Sequence, residues 1–337
     1  MILISVVIPY YNDKLNVKKC IDSIYLSLQQ SKGEFPEACN QVEVIVIDDH
    51  SPDKFSYPDS PLPLRYYRMP QNGGVGAARN RGAEKSAGEY ILFVDSDIVL
   101  AGNHFSVILN ELKRCDTLSI LQGPTGSVPA NEAADSFQNY LAAAWNYYEE
   151  QNWEITFFTQ CVVVNRRFFM KMGGFVEKFN RSGGEEFEFA LRLGFIKGDN
   201  IVFKRNLIHY HHFDKIGKRL KKVYFRSRYI SSIALGMPNL PFSFKAQAIL
   251  RSAFSQTLNL SLFLCMLAPL KGVAAAITIG TLFYFADWGF SRHMIREKSI
   301  GMSVLSVFYR QAEYTFINIG MIAGYINKRV GKKTGTY

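Results

Sequence analysis

Three short stretches of this chain are almost uninterrupted in apolar, β-branched residues: Ile4–Ile8, Val42–Ile47 and Tyr90–Val94. A strand with one wet face alternates apolar and polar side chains. A strand that does not alternate must be covered on both faces, as parallel strands are when helices pack above and below them. Helical patterns at Leu15–Leu28 and Gly76–Ser86 separate the runs, and Leu64–Arg68 reads as a shorter strand. This strand–helix–strand series predicts an α/β domain with a doubly wound, mostly parallel sheet.

Sheets of that kind collect their ligands at the carboxyl ends of the strands. There the first run ends in Pro9-Tyr10-Tyr11-Asn12, the second in Asp48-Asp49-His50-Ser51 and the third in Asp95-Ser96-Asp97. The segment Asn72-Gly73-Gly74-Val75-Gly76-Ala77-Ala78-Arg79-Asn80 opens a helix beside them. Paired carboxylates suit a hard divalent cation, Mg²⁺ or Mn²⁺, which usually also binds substrate phosphates. Taken alone, Asp95 and Asp97 read equally well as caps of the next helix. The glycines lack the G-x-G-x-x-G spacing of a dinucleotide site, which argues against a nicotinamide oxidoreductase.

The second half continues with an aromatic-rich helical stretch from Glu132 to Asn152 and a buried strand at Phe157–Asn165. A helix at Arg167–Met172 follows, stopped by Gly173-Gly174. Then come Gly183-Gly184-Glu185-Glu186, a short strand at Asn200–Lys204, and His209-Tyr210-His211-His212.

In this order, over roughly Ile4 to His212, these motifs resemble the family 2 glycosyltransferases and their GT-A nucleotide-diphospho-sugar fold. The resemblance implies a role for each motif. Asp48 and Asp49 would recognise the donor nucleotide, Asp49 holding the base, with Tyr11 as a stacking face and Pro9 shaping the loop. Arg79 would either pair with the diphosphate or brace the acidic loops. Asp95 and Ser96 would belong to the donor turn, Asp95 reaching the ribose, and Asp95 and Asp97 would hold the metal, Asp97 the more directly. His211 or His209 would approach the metal or diphosphate. Family members commonly read Gly-Glu-Asp where this chain has Gly184-Glu185-Glu186. Glu186 then stands at the position of the general base, and whether it or Glu185 takes the acceptor's proton is open.

Lys and Arg number 39 against 29 Asp and Glu, a formal charge of +10 that points to anionic partners. Lys215, Lys218, Arg219, Lys221, Lys222, Arg226 and Arg228 crowd one amphipathic segment. Anionic headgroups or a lipid pyrophosphate suit it better than nucleic acid, its apolar half entering the membrane interface. The stretches Ser252–Leu270 and Gly272–Ala286 carry no charge. With Pro269-Leu270-Lys271-Gly272 as a turn, they predict a membrane hairpin whose basic outer ends stay in the cytoplasm. The tract Ile300–Ile326, broken by Arg310 and Glu313, reads as an interfacial helix or a further span. Five unclustered cysteines argue for a reducing compartment, and the first residues read as a strand instead of a signal peptide.

The expected organisation is a catalytic domain over 1–212, a basic juxtamembrane segment over 213–250, a hairpin over 251–290, and a helix with basic tail over 291–337. The expected protein is a multi-pass enzyme of the bacterial inner membrane with its catalytic domain cytoplasmic. It would move a sugar, with inversion, from a nucleotide-diphospho-sugar to a hydroxyl of a lipid-linked or glycan acceptor, using Mn²⁺ or Mg²⁺. A homo-oligomer is compatible with the sequence. Two alternatives are a polyprenyl-phosphate sugar synthase, whose ionised acceptor needs no base, and a non-catalytic nucleotide-binding membrane scaffold.

Overall fold

The computed structural model describes residues 2–57, 59–153, 157–177, 184–194, 200–234, 253, 255–261 and 267–329. They fall into two units, one formed by 1–134 with 145–213 and the other by 135–144 with 214–337.

The first unit is built on a seven-stranded sheet in the order β3-β2-β1-β4-β7-β6-β8. Its strands are β1 (Ile4–Tyr10), β2 (Val42–Asp48), β3 (Leu64–Arg68), β4 (Tyr90–Val94), β6 (Ile120–Gln122), β7 (Cys161–Asn165) and β8 (Ile201–Phe203). All neighbours pair parallel except β7, which runs antiparallel to both β4 and β6. A second, two-stranded sheet pairs β5 (Ile98–Leu100) with β9 (His209–His211).

The non-alternating runs are covered on both faces, as their composition requires. Val6, Ile8, Val44, Val46 and Leu92 face one core with Val17, Ile21 and Ile24 of α1 (Lys14–Ser31) and Phe105 of α3 (His104–Arg114). Val7, Ile45, Ile47, Ile91 and Phe93 face the other. There they meet Ala78 of α2 (Val75–Lys85), Phe169 of α5 (Arg166–Lys171), Phe175, and Phe189 of α6 (Glu185–Arg192). Register brings the carboxyl ends to one edge, with Tyr10 opposite Asp48. Because β7 is reversed, its amino end joins that edge, Cys161 lying opposite Val94.

Several expected bounds shift. The strand expected over Phe157–Asn165 is confined to Cys161–Asn165, where pairing to β4 and β6 exists. The aromatic helix begins at Ser136, not Glu132, and is α4 (Ser136–Asn152). The three histidines expected after a strand themselves form β9 as far as His211.

The second unit is helical: α7 (Ile216–Ala234), α8 (Pro269–Ala286), α9 (Trp288–Glu297) and α10 (Ile300–Arg329), with the first turns of α4. Pro269 to Gly272, expected as a hairpin turn, is instead the first turn of α8. Proline suits that place because the first helical N–H has no partner to lose. Among the described residues α8 is the one helix long and apolar enough to cross a membrane. Much of the first uncharged run, including Leu262–Met266, lies outside the described residues. The apolar tract interrupted by Arg310 and Glu313 is one continuous helix, α10, and both charges are paired. Arg310 meets Asp287 at 3.0 Å and Glu313 meets Arg219 at 2.9 Å. Part of the apolar side of the basic helix α7 is covered by α10. Val223 and Ser227 are buried, and a side chain at Gly320 of α10 would strike Tyr224 and Ser227.

Candidate active site

At the end of β2 the two aspartates are committed to loop closure. Asp48 is fully buried: Oδ1 accepts the Ser51 N–H at 2.8 Å and Oδ2 accepts the Tyr66 hydroxyl at 2.6 Å. Asp49 reaches across to the glycine segment, where Oδ1 accepts the Gly73 N–H at 2.7 Å and Oδ2 the Gly74 N–H at 2.8 Å. Burial raises the Asp49 pKa, and those two backbone donors partly offset it. Asn12 and His50 flank the crevice in the left-handed region, at φ 51° and 61°. For non-glycine residues this costs on the order of 1 kcal/mol each and persists only where neighbours enforce it. The Asn12 N–H, held by Ser51 Oγ at 3.0 Å, is one such constraint. Pro9 is buried within β1, and Tyr11 at the rim is half exposed.

The centre of the edge is Arg79, 1% exposed on α2. Its Nη2 donates to Asp95 Oδ1 at 2.6 Å and its Nη1 to Glu185 Oε1 at 3.1 Å. One guanidinium thus ties the glycine-rich helix, the strand-end aspartate and the acidic helix start. Of the two roles left open by the sequence, bracing is the contact seen. Burial alone would lower the Arg79 pKa, but the Asp95 and Glu185 carboxylates outweigh it and leave it raised. Asp95 is itself raised, chiefly by burial, with Arg79 pulling it down and Asp97 pushing it up. Gly76 makes room for this packing, since a β-carbon there would lie 3.4 Å from Glu185 Cγ and from Phe175 Cβ.

Ser96 lies in the turn after β4, between the two aspartates and half-buried like them. Beyond it Asp97 faces His211, with 3.7 Å between Oδ2 and Nε2. The pairing of β5 with β9 sets Ile98 opposite His211, and the His212 N–H donates to the Asp97 carbonyl at 2.9 Å. His211 Nδ1 lies 2.9 Å from the His212 carbonyl, an obligate acceptor, so Nδ1 donates there and Nε2 is the nitrogen turned toward Asp97. A carboxylate oxygen and an imidazole nitrogen that face each other are the kinds of donor that bind a divalent cation such as Mn²⁺. Among the described residues no three His, Cys, Asp or Glu side chains form a metal cluster by themselves. Asp97 and His211 by themselves would be an incomplete shell, and an ion held there would need further oxygens from elsewhere. His209 is turned away and buried, its Nε2 3.3 Å from Thr125 Oγ1.

The acidic pair divides. Gly184, at φ +117°, starts α6, and Glu185 is buried beside Arg79. The Glu186 carboxylate turns back, Oε2 accepting the Gly184 N–H at 2.9 Å. Behind them, Asn80 exchanges two 2.8 Å hydrogen bonds with the Phe175 backbone, and Arg192 of α6 donates to the Gly174 carbonyl at 2.6 Å.

One buried acid escaped the sequence reading. Glu149 of α4 accepts the Thr125 N–H at 2.6 Å through Oε2, and the Gln160 side-chain amide at 2.7 Å through Oε1. Burial, opposed by these bonds, raises its pKa to about 7. Gln160 also takes the Asp95 N–H on its backbone carbonyl at 2.9 Å, which puts Glu149 directly behind the Asp95–Asp97 turn. Its only sequence signal is an acid in an otherwise aromatic helix.

Comparison with known proteins agrees with this geometry. Residues 5–173 match the family described as glycosyl transferase family 2, and residues 90–291 match glycosyl transferase family group 2. The minor teichoic acid biosynthesis protein GgaB of Bacillus subtilis is 33% identical over 111 residues, 32% of this chain and 11% of that protein. An uncharacterized glycosyltransferase of Haemophilus influenzae is 36% identical over 115 residues, 33% of this chain and 42% of that protein. The chain thus spans less than half the length of either relative. In fold it is similar to a mannosyltransferase of Pyrobaculum calidifontis solved with GDP-Man and Mn²⁺. That match has a TM-score of 0.53 at 16% identity, over 98% of this chain and 88% of the other. With more than half of its length inside matched family segments, and an edge built from that family's motifs, the chain belongs to glycosyl transferase family 2 and has the GT-A fold.

Proposed function

We propose that this enzyme transfers a sugar, with inversion, from a nucleoside-diphosphate sugar to a hydroxyl of a lipid-linked acceptor at the cytoplasmic face of a bacterial membrane. The observation that carries the reading is the double engagement of Arg79 with Asp95 and Glu185, which draws the donor turn and the acidic helix to one point. Asp49 positions the base. Its oxygens already hold the glycine loop, but each keeps a second lone pair for a ring N–H. Asp95, Asp97 and His211 would hold Mn²⁺ or Mg²⁺, which when bound neutralises charge on the departing diphosphate. The presence of Mn²⁺ and GDP-Man in the Pyrobaculum mannosyltransferase supports that assignment.

Glu185 is the positioning member of the acidic pair, because its carboxylate holds Arg79. Glu186 is the base, taking the proton of the attacking hydroxyl onto its carboxylate as that oxygen bonds to the anomeric carbon and the bond to the diphosphate breaks. The basic α7 and the exposed apolar α8 support a membrane-borne acceptor.

Isothermal titration of UDP, GDP, CDP and dTDP against the detergent-solubilised chain, with and without Mn²⁺, tests the donor site. One nucleotide is expected to bind selectively and with cation dependence, and Asp97→Asn is expected to remove the cation dependence. Failure of every nucleotide to bind would overturn the reading in favour of a scaffold.

A further inference from the structure

Helix α10 reverses the burial pattern of a water-soluble helix. Its buried positions include Ser303, Ser306, Arg310, Gln311 and Asn318, while Val304, Phe308, Ile319, Ile322 and Ile326 are exposed. At about 100° per residue those five apolar side chains fall within one narrow stripe, and Ile300, Phe316, Met321 and Tyr325 are exposed beside it. Gln311 and Thr315 interrupt the stripe, and they are covered. The Gln311 amide donates to the Ser255 carbonyl at 3.0 Å and to Asn259 Oδ1 at 2.7 Å, and Asn259 donates to Thr315 Oγ1 at 3.1 Å. Among the described residues these polar side chains stand where a neighbouring helix packs and the stripe stands where none does, although α10 also buries Val307.

Helix α8 is apolar on every side, burying Phe283 and leaving most of its length exposed. Val273, Ile277, Leu282 and Phe285 are exposed, and the helix ends at Asp287, whose carboxylate meets the buried Arg310. Ser303 Oγ, beneath, donates to the Ser291 carbonyl at 2.9 Å. Interhelical polar contacts inside and apolar side chains outside are the arrangement that hydrocarbon solvent selects, since lipid offers no partner for a polar group. Charge is complementary to an anionic surface at both ends of α10: Arg292, Arg296 and Lys298 precede it, and Lys328, Arg329, Lys332 and Lys333 close it or follow it.

We propose that the outer face of α8 and α10 is a lipid-contacting surface whose occupant is the hydrocarbon layer of an anionic bilayer, with the last helix embedded as well as the first. The proposal deepens the membrane placement given above, and its test does not depend on sugar transfer.

The full chain is mixed with vesicles of phosphatidylcholine and phosphatidylglycerol, floated on a density gradient, and washed with 1 M salt. The wild type is expected to float and to resist the wash. Ile319→Glu/Ile322→Glu is expected to cut the vesicle-bound fraction at least tenfold, while Leu26→Glu, on the sheet unit, floats like wild type. Nucleotide titration of the same samples separates lost membrane contact from a lost donor site. Brominated-lipid quenching of wild-type fluorescence, absent in Trp288→Phe, reads insertion without any change to the stripe. Three results would overturn the proposal: no flotation, release by salt alone with no quenching, or a discrete detergent-free oligomer broken by the paired substitution.

Discussion

Two buried arginines show how differently the two units are built. Arg79 sits at the edge of a sheet whose interior is Val, Ile, Leu and Phe, and its charge is matched by carboxylates from two distant segments. Arg310 sits inside a helical unit whose interior is seeded with serines and amides, and its guanidinium lies 4.6 Å from the ring centres of both Phe283 and Phe290. In the sheet unit large exposed apolar residues are scattered, as at Leu15, Leu26 and Met170; in the helical unit they crowd α8 and α10. A buried charge in the first unit marks a site. In the second it is one of many polar groups turned inward away from an apolar exterior.

The widest gap between the two arginines is expected on deletion. Arg79→Ala strands two carboxylates, one of them wholly buried, and should cost about 3–5 kcal/mol by chemical unfolding together with all measurable transfer. Retained stability would mean that the bridge does not organise the edge. Next in size is the division of labour between the glutamates. Glu186→Gln should lower kcat about 10²- to 10⁴-fold with nucleotide affinity and Tm unchanged. Glu185→Gln should instead cost about 1–3 kcal/mol of stability, having removed charge from the Arg79 bridge. The opposite result would exchange their roles.

A smaller effect is expected from Glu149. Its pKa rises from 4.5 to about 7 on folding, so the folded state holds a proton that the unfolded chain gives up earlier. Stability should therefore fall as pH rises between those two values, by on the order of 1–3 kcal/mol in all. Unfolding titrations across that range should show the slope in wild type and not in Glu149→Gln. Smallest is Arg310→Lys, which keeps the charge near Asp287 but loses the planar stacking between two rings. A loss of about 1 kcal/mol in detergent is expected. A loss as large as that of Arg79→Ala would erase the contrast between the units.

Much of the sheet was legible because its signals are local. A run such as Val44–Ile47 declares its own burial, and β4 was read to the residue. The three-residue strands β5 and β6 were not read, since so short a strand exists chiefly through its partners, and the helix α3 was missed as well. At the site, the sequence named Arg79, Asp95, Glu185 and His211 without joining them. It had no means to see Glu149, whose partners Thr125 and Gln160 come from separate loops. In the helical unit the apolar composition was evident, but the packing of α7 was not, because part of that helix is covered by another some ninety residues further on.

The sequence by itself determined the α/β class, the order of the motifs, and their arrival at one sheet edge. Parallel strands covered on both faces leave their loops nowhere else to gather. Only the tertiary structure decided that Glu185 pairs with Arg79 across 106 positions, that His211 and not His209 faces Asp97, and that α10 turns its serines inward. Those outcomes depend on which elements dock against which, and docking is settled by the whole set of faces seeking cover, not by any one of them.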